Sequence, residues 1–120
     1  MSSKTANKLN AVFYRTESGV EPVREWLKEL LKADKKAIGE DIRTVQLGWP
    51  LGMPLVDSLG DKLWEVRTKL EGGRIARIIF FMDINTMVLV NGFIKKTQKT
   101  PKQELEIARK RKWQYSNQLK

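Results

Sequence analysis

The side chains available for chemistry in this sequence are defined first by what is missing. It contains no His and no Cys, which removes Cys/His nucleophilic pairs, the Ser-His-Asp triad, zinc fingers, disulfides and the usual general base near neutral pH. Catalysis must therefore run on Arg, Lys, carboxylates, Tyr or hydroxyls. Among these Arg77 is the most informative, because it interrupts the apolar run Arg74 to Met82 (RIARIIFFM). An ionised guanidinium inside a central strand has to be paired, or has to reach an open concave face. An ion pair with Glu65 or another carboxylate is the structural alternative to a bound anion. Arg67 lies on the preceding alternating segment. If the Gly72-Gly73 turn sets residue 67 against residue 77, both guanidiniums share one face and repel unless an anion binds between them; a one-residue slip puts them on opposite faces. The sequence leaves both registers open.

The basic run Lys95-Lys96-Thr97-Gln98-Lys99 leaves the last strand and enters a helix, so lysines meet unpaired backbone N–H groups at a positive helix end. That combination suits a phosphate. Lys95 and Lys96 point to opposite faces if the strand continues through them, so only one joins Arg67 and Arg77. Lys69 and Arg74 flank the arginine segment, and Lys99 closes the run. Further on, Arg109-Lys110-Arg111-Lys112 with Trp113 and Tyr115 has the composition of a nucleic-acid contact, basic residues for phosphates and aromatics for bases. A solvated, loosely docked helix explains the same run.

Behind these groups stands one domain of 120 residues with a net charge of +9. The bias lies in residues 61–120, with fourteen basic and six acidic side chains against nine and eight in residues 1–60. A partner that is polyanionic or acidic belongs on that half. The start MSSKTANKLN lacks the apolar segment of a signal peptide, and no stretch approaches the roughly 18 apolar residues of a membrane span. The expectation is a soluble, cytoplasmic chain with no membrane partner, flexible at residues 1–8 and 114–120.

The elements that must position the cations follow from periodicity. Leu9 to Arg15 reads as a strand. Val23, Trp26, Leu27, Leu30 and Leu31 form a helical stripe, with Pro22 in its first turn. Ala33-Asp34 offers a break and an N-cap, Ile38, Ile42 and Val45 continue at helical spacing, and Gly48 ends the second helix, expected to pack antiparallel on the first. Trp49 to Asp61, with two Pro and two Gly before Asp61, reads as a packed loop. Leu63 to Leu70 alternates, with Trp64, Val66, Thr68 and Leu70 on one face and Leu63, Glu65, Arg67 and Lys69 on the charged one. Arg74–Met82 is the central strand and Met87–Ile94 the last. Thr100-Pro101-Lys102-Gln103 matches a capping box with Pro at its first helical position, opening a helix to about Lys112. The fold class is α+β: an N-terminal strand, two antiparallel helices, a three-stranded antiparallel meander and a C-terminal helix. Trp26, Trp49 and Trp64 belong to packing, and Tyr14 to the rim of the cleft.

The segments LWEVR, RIARIIFF and NGFIKKTQKTP resemble HigB-type toxins of the RelE/ParE superfamily, phage-derived relatives included, over roughly Leu9 to Lys112. The resemblance implies a RelE-like α+β fold and a ribosome-dependent mRNA interferase without metal or other cofactor, neutralised by a cognate antitoxin protein. Its partners would be that antitoxin, the ribosomal decoding site and mRNA. By motif position the catalytic set is Arg67, Arg77, Lys95 and Lys96; beside it, Lys69, Arg74, Lys99, Arg109 and Arg111 are the expected substrate-binding residues. The arginines would stabilise charge while a ribose 2′-OH attacks the adjacent phosphate, and a lysine would orient that hydroxyl or protonate the leaving oxygen. Several relatives carry His or Tyr near the start of the last helix. This chain has neither in Thr100-Pro101-Lys102-Gln103.

Three rivals share the same residues: a ParE-like toxin that acts on DNA gyrase without a nuclease site, a noncatalytic nucleic-acid-binding module, and a basic dock for an acidic partner. The interferase reading requires the cations to converge on one pocket. Side chains splayed apart, or neutralised by acidic neighbours, would leave only a kinship of shape.

Overall fold

The computed structural model describes residues 8–118. Its elements are β1 (Asn10–Phe13), α1 (Pro22–Lys28), α2 (Lys32–Gly48), β2 (Val56–Gly60), β3 (Leu63–Lys69), β4 (Ile75–Asp83), β5 (Thr86–Lys95) and α3 (Lys102–Gln118). They build a mixed five-stranded sheet in the order β1-β5-β4-β3-β2. The apolar run around Arg77 is the central strand β4, as its composition requires, and β3, β4 and β5 form the expected antiparallel meander.

The meander is longer than the sequence reading allowed. Val56–Gly60, expected within a loop, is an edge strand antiparallel to β3. It turns through Asp61 and Lys62, both in the left-handed region at φ 54° and 58°, the backbone of a two-residue hairpin turn. Only five residues long and carrying Asp57 and Ser58, β2 has too weak an alternation to stand out. β1 adds to the opposite edge, parallel to β5.

The two faces of the sheet are covered by different helices. On one, Val23, Trp26 and Leu27 of α1 and Ile38, Ile42 and Val45 of α2 meet Val66, Ile78, Phe80 and Leu89. Here α1 lies against β5 and β1 while α2 lies against β3, so each helix packs chiefly on the sheet. On the other, Leu105, Ala108 and Tyr115 of α3 meet Leu63, Ile79, Phe81 and Val88. Trp49 and Trp64 pack edge-to-face, with centroids 5.2 Å apart, and both lie against Phe80.

Helix boundaries depart from the sequence reading in four places. α1 stops at Lys28, so Leu30 lies beyond its end and Leu31 is the exposed N-cap of α2. Asp34 is not a cap: it lies inside the first turn of α2, buried, with both carboxylate oxygens accepting from Arg74. The Thr100 hydroxyl donates to Glu65, and α3 begins at Lys102, after Pro101, whose carbonyl accepts from Glu104 and Leu105. α3 also runs through residues 114–118, expected to be flexible, because Tyr115 anchors its last turns on Phe81 and Asp83. Residues 1–7 and 119–120 lie outside the described residues. No helix among the described residues is long and apolar enough to cross a membrane.

Candidate anion site beneath the β5–α3 loop

The β3–β4 register sets Arg67 directly against Arg77, so both side chains leave the same face of the sheet. Opposed Cα atoms in such a ladder lie about 4.5–5.5 Å apart. The register depends on the tight turn at Glu71–Gly73, where Gly72 and Gly73 take φ values of 76° and 74°, a region that favours glycine. Phe93 of β5 continues the row, and its ring sits 5.8 Å from the Arg77 guanidinium carbon. One row further along the strands, Lys69, Ile75 and Lys95 stand opposite one another on that same face.

Neither arginine is open to solvent. Arg77 is 0% exposed; its Nη1 donates to the Lys99 carbonyl at 3.0 Å, while Nε and Nη2 are buried without a hydrogen-bond partner. Burial first, and then the neighbouring Arg67, push this guanidinium below its ordinary value, against an opposing pull from Glu65 and Asp57. Arg67 donates from Nη1 to Glu65 at 2.7 Å and to the Gln98 carbonyl at 3.2 Å, and from Nη2 to the Gln98 side-chain oxygen at 3.1 Å. Glu65 is itself fully buried and accepts from Thr100 at 2.7 Å. The face of β3 read as charged is therefore covered: Glu65 joins Arg67, not Arg77, and ties the sheet to the start of α3.

The loop of residues 96–101 thus closes over the arginine row, with its carbonyl oxygens placed on guanidinium donors. Lys95, Lys96 and Lys99 are exposed around it, as is Lys69. Arg67, Arg77, Lys69 and Lys95 come together on one face, whereas the open three-cation pocket envisaged from sequence is replaced by a lidded, partly countered pair. Lys96 begins the loop. Among the described residues no cluster of three or more acidic side chains offers a metal site.

The remaining basic residues have other engagements. Arg74 holds Asp34 through two bonds of 2.9 and 3.2 Å, and that partner raises its pKa. Arg109 pairs with Asp61 at 2.9 Å. Arg111 donates to the Val90 carbonyl at 2.7 Å. Val90 is the extra residue of a β-bulge, since Ile79 pairs with Asn91 and Phe80 with Leu89, and such a residue falls out of the ladder. Lys112 reaches the Asp61 carbonyl. These contacts dock α3, which is not the loosely held helix its composition allowed. Tyr14 is buried, its hydroxyl donating to Gln114. Gln98, Thr100 and Phe93 were not read from sequence as neighbours of the arginines: only the fold brings the loop over the sheet.

No curated protein matches this sequence. The family model described as Phage derived protein Gp49-like (DUF891) matches residues 25–113, a stretch that holds both arginines, the covering loop and most of α3. The chain belongs to the phage-derived Gp49-like family.

Proposed function

We propose that this chain is the toxin of a toxin–antitoxin pair and that it cuts mRNA presented by the ribosome in the cytoplasm, until a cognate antitoxin binds it. The toxin-like character of the phage-derived family supports the first part. The chemistry rests on one observation: Arg77, opposed to Arg67, keeps two buried guanidinium donors without partners. Idle buried donors lower stability, and donors held in a dry site are what a phosphate gathering charge in a transition state requires.

In the proposed step the ribose 2′-oxygen bonds to the adjacent phosphorus, the bond from phosphorus to the 5′-oxygen breaks, and a 2′,3′-cyclic phosphate and a 5′-hydroxyl result. Arg77 and Arg67 stabilise the non-bridging oxygens. Lys95, on their face of the sheet, orients the 2′-OH or protonates the departing 5′-oxygen, the proton shed by the 2′-OH replacing the one it gives, and Lys96 stands next to it. The carbonyl oxygens of Gln98 and Lys99 occupy donors that phosphate oxygens would take, so the loop moves aside when RNA binds. Mapping transcript 5′ ends with and without ribosomes tests this. Codon-phased cuts should appear with ribosomes and fall roughly 10²–10³-fold in Arg67→Ala and Arg77→Ala. Cleavage that survives Arg77→Ala removes the site assignment.

A second reading, a ParE-like toxin acting on gyrase, is favoured by the ion pair of Arg67 with Glu65 and by the cover over both arginines. It predicts gyrase inhibition that is indifferent to Arg77→Ala, with RNA left intact.

A further inference from the structure

The distal half of α3 carries the part of the basic and aromatic run that the arginine site does not use. Helical spacing places Lys110, Trp113, Gln114 and Asn117 on one stripe, while Ala108, Arg111, Lys112 and Tyr115 dock the helix. Trp113 is 67% exposed, and the other three tryptophans are half-buried. Trp113, Gln114 and Asn117 of this stripe, with Gln118, Tyr14 and residues Thr16 to Ser18, line a cavity of about 490 Å³, within the range of small-ligand sites. Trp113 lies about 16 Å along the helix from Lys102, so the cavity is separate from the arginine row.

The polar groups of the cavity have definite vacancies. The Tyr14 hydroxyl donates to Gln114 Oε1 at 2.8 Å, which leaves Gln114 Nε2 as a donor. Asn117 Nδ2 donates to the Trp113 carbonyl at 2.8 Å, which leaves Asn117 Oδ1 as an acceptor, and the exposed Glu17 carboxylate adds another. Among the described residues no Lys or Arg lines this cavity. The described lining offers a phosphate no counter-charge. The Trp113 indole beside the Gln114 and Asn117 amides and the Glu17 carboxylate suits a planar, uncharged group bearing N–H donors.

We propose that this cavity is a stacking subsite for an unpaired nucleobase with an exocyclic amino group, adenine, cytosine or guanine, in a single-stranded RNA. The polymer part rests on the RNA reading above; the base-binding part does not, because free nucleosides probe it directly.

The test follows intrinsic tryptophan fluorescence of the full chain titrated with adenosine, cytidine, guanosine and uridine, and measures affinity for a short RNA. Nucleosides bearing amino groups should quench, uridine less, and Trp113→Ala should abolish the quenching. That variant should also weaken RNA binding about 5- to 150-fold at an unchanged melting temperature, with Trp113→Phe restoring part of the loss. Absence of quenching by every nucleoside, or unchanged RNA affinity in Trp113→Ala, overturns the proposal. So does loss of protein-partner binding with RNA affinity intact. Quenching without cleavage would sink the ribonuclease reading and leave this subsite standing; cleavage without quenching would do the reverse.

Discussion

Arg77 is a buried cation beside a second cation, with one hydrogen bond, one aromatic neighbour and two donors idle. Desolvation and the Arg67 charge both oppose it. Glu65 does not answer that charge directly, because its oxygens accept from Arg67 and Thr100. Replacing such a group by an apolar side chain of similar length should remove unmet polar demand. Arg77→Met is therefore expected to unfold at equal or higher urea concentration, with a gain on the order of 1 kcal/mol, while RNA cleavage is lost. A Met variant that folds poorly would make the arginine a structural group. Glu65→Gln should act in the opposite sense: it leaves Arg67 buried without its counter-charge, a change that typically costs about 3–5 kcal/mol.

The close fit between elements decides two further outcomes. α1 approaches β5 so nearly that a Cβ on Gly92 would lie 2.7 Å from two ring atoms of Trp26 and 3.1 Å from Ile78. Gly92→Ala must push the helix off the sheet, at a cost of about 1–3 kcal/mol, visible as a lower urea midpoint. α3 is held at its far end by the Tyr115 hydroxyl, which donates to Asp83 at 2.8 Å. Burial first, then that bond and the Asp83 charge, raise the Tyr115 pKa. The folded state therefore holds this proton more tightly than the unfolded chain. Its contribution is complete below the ordinary tyrosine value of about 10 and is lost as pH rises through the higher folded value. Thermal melts of wild type and Tyr115→Phe should differ at neutral pH and converge in strong alkali; a constant gap would show that the phenol does not couple to folding.

Across the whole molecule, the basic excess of residues 61–120 divides by engagement. Arg67, Arg74 and Arg109 face carboxylates, whereas Lys69, Lys95, Lys96 and Lys99 stand exposed around the β5–α3 loop. The exposed set should govern long-range attraction to RNA. Each phosphate neutralised on a single strand contributes about −0.7 to the slope of log affinity against log salt. Replacing Lys95 and Lys96 together by Ala should flatten that slope by about 1.4, whereas replacing Arg109 should change it less. Equal slopes for all variants would place the RNA elsewhere.

Local pattern alone determined much of this protein: the central strand around Arg77, the stripe of α1, the end of α2 at Gly48 and the turn at Gly72-Gly73 each follow from residue spacing and backbone freedom. It also pointed to Arg77, since a cation within an apolar run is anomalous wherever the chain folds, and to Arg67 as its possible cross-strand neighbour. The edge strand β2 escaped because a short strand with polar residues is stabilised by its neighbour, not by its own alternation. The choice of register, the diversion of Glu65 to Arg67 and the closure of residues 96–101 over both guanidiniums were decided only in three dimensions. Each depends on which distant groups meet, and charge pairing across a sheet is set by strand order and by the loop that returns over it.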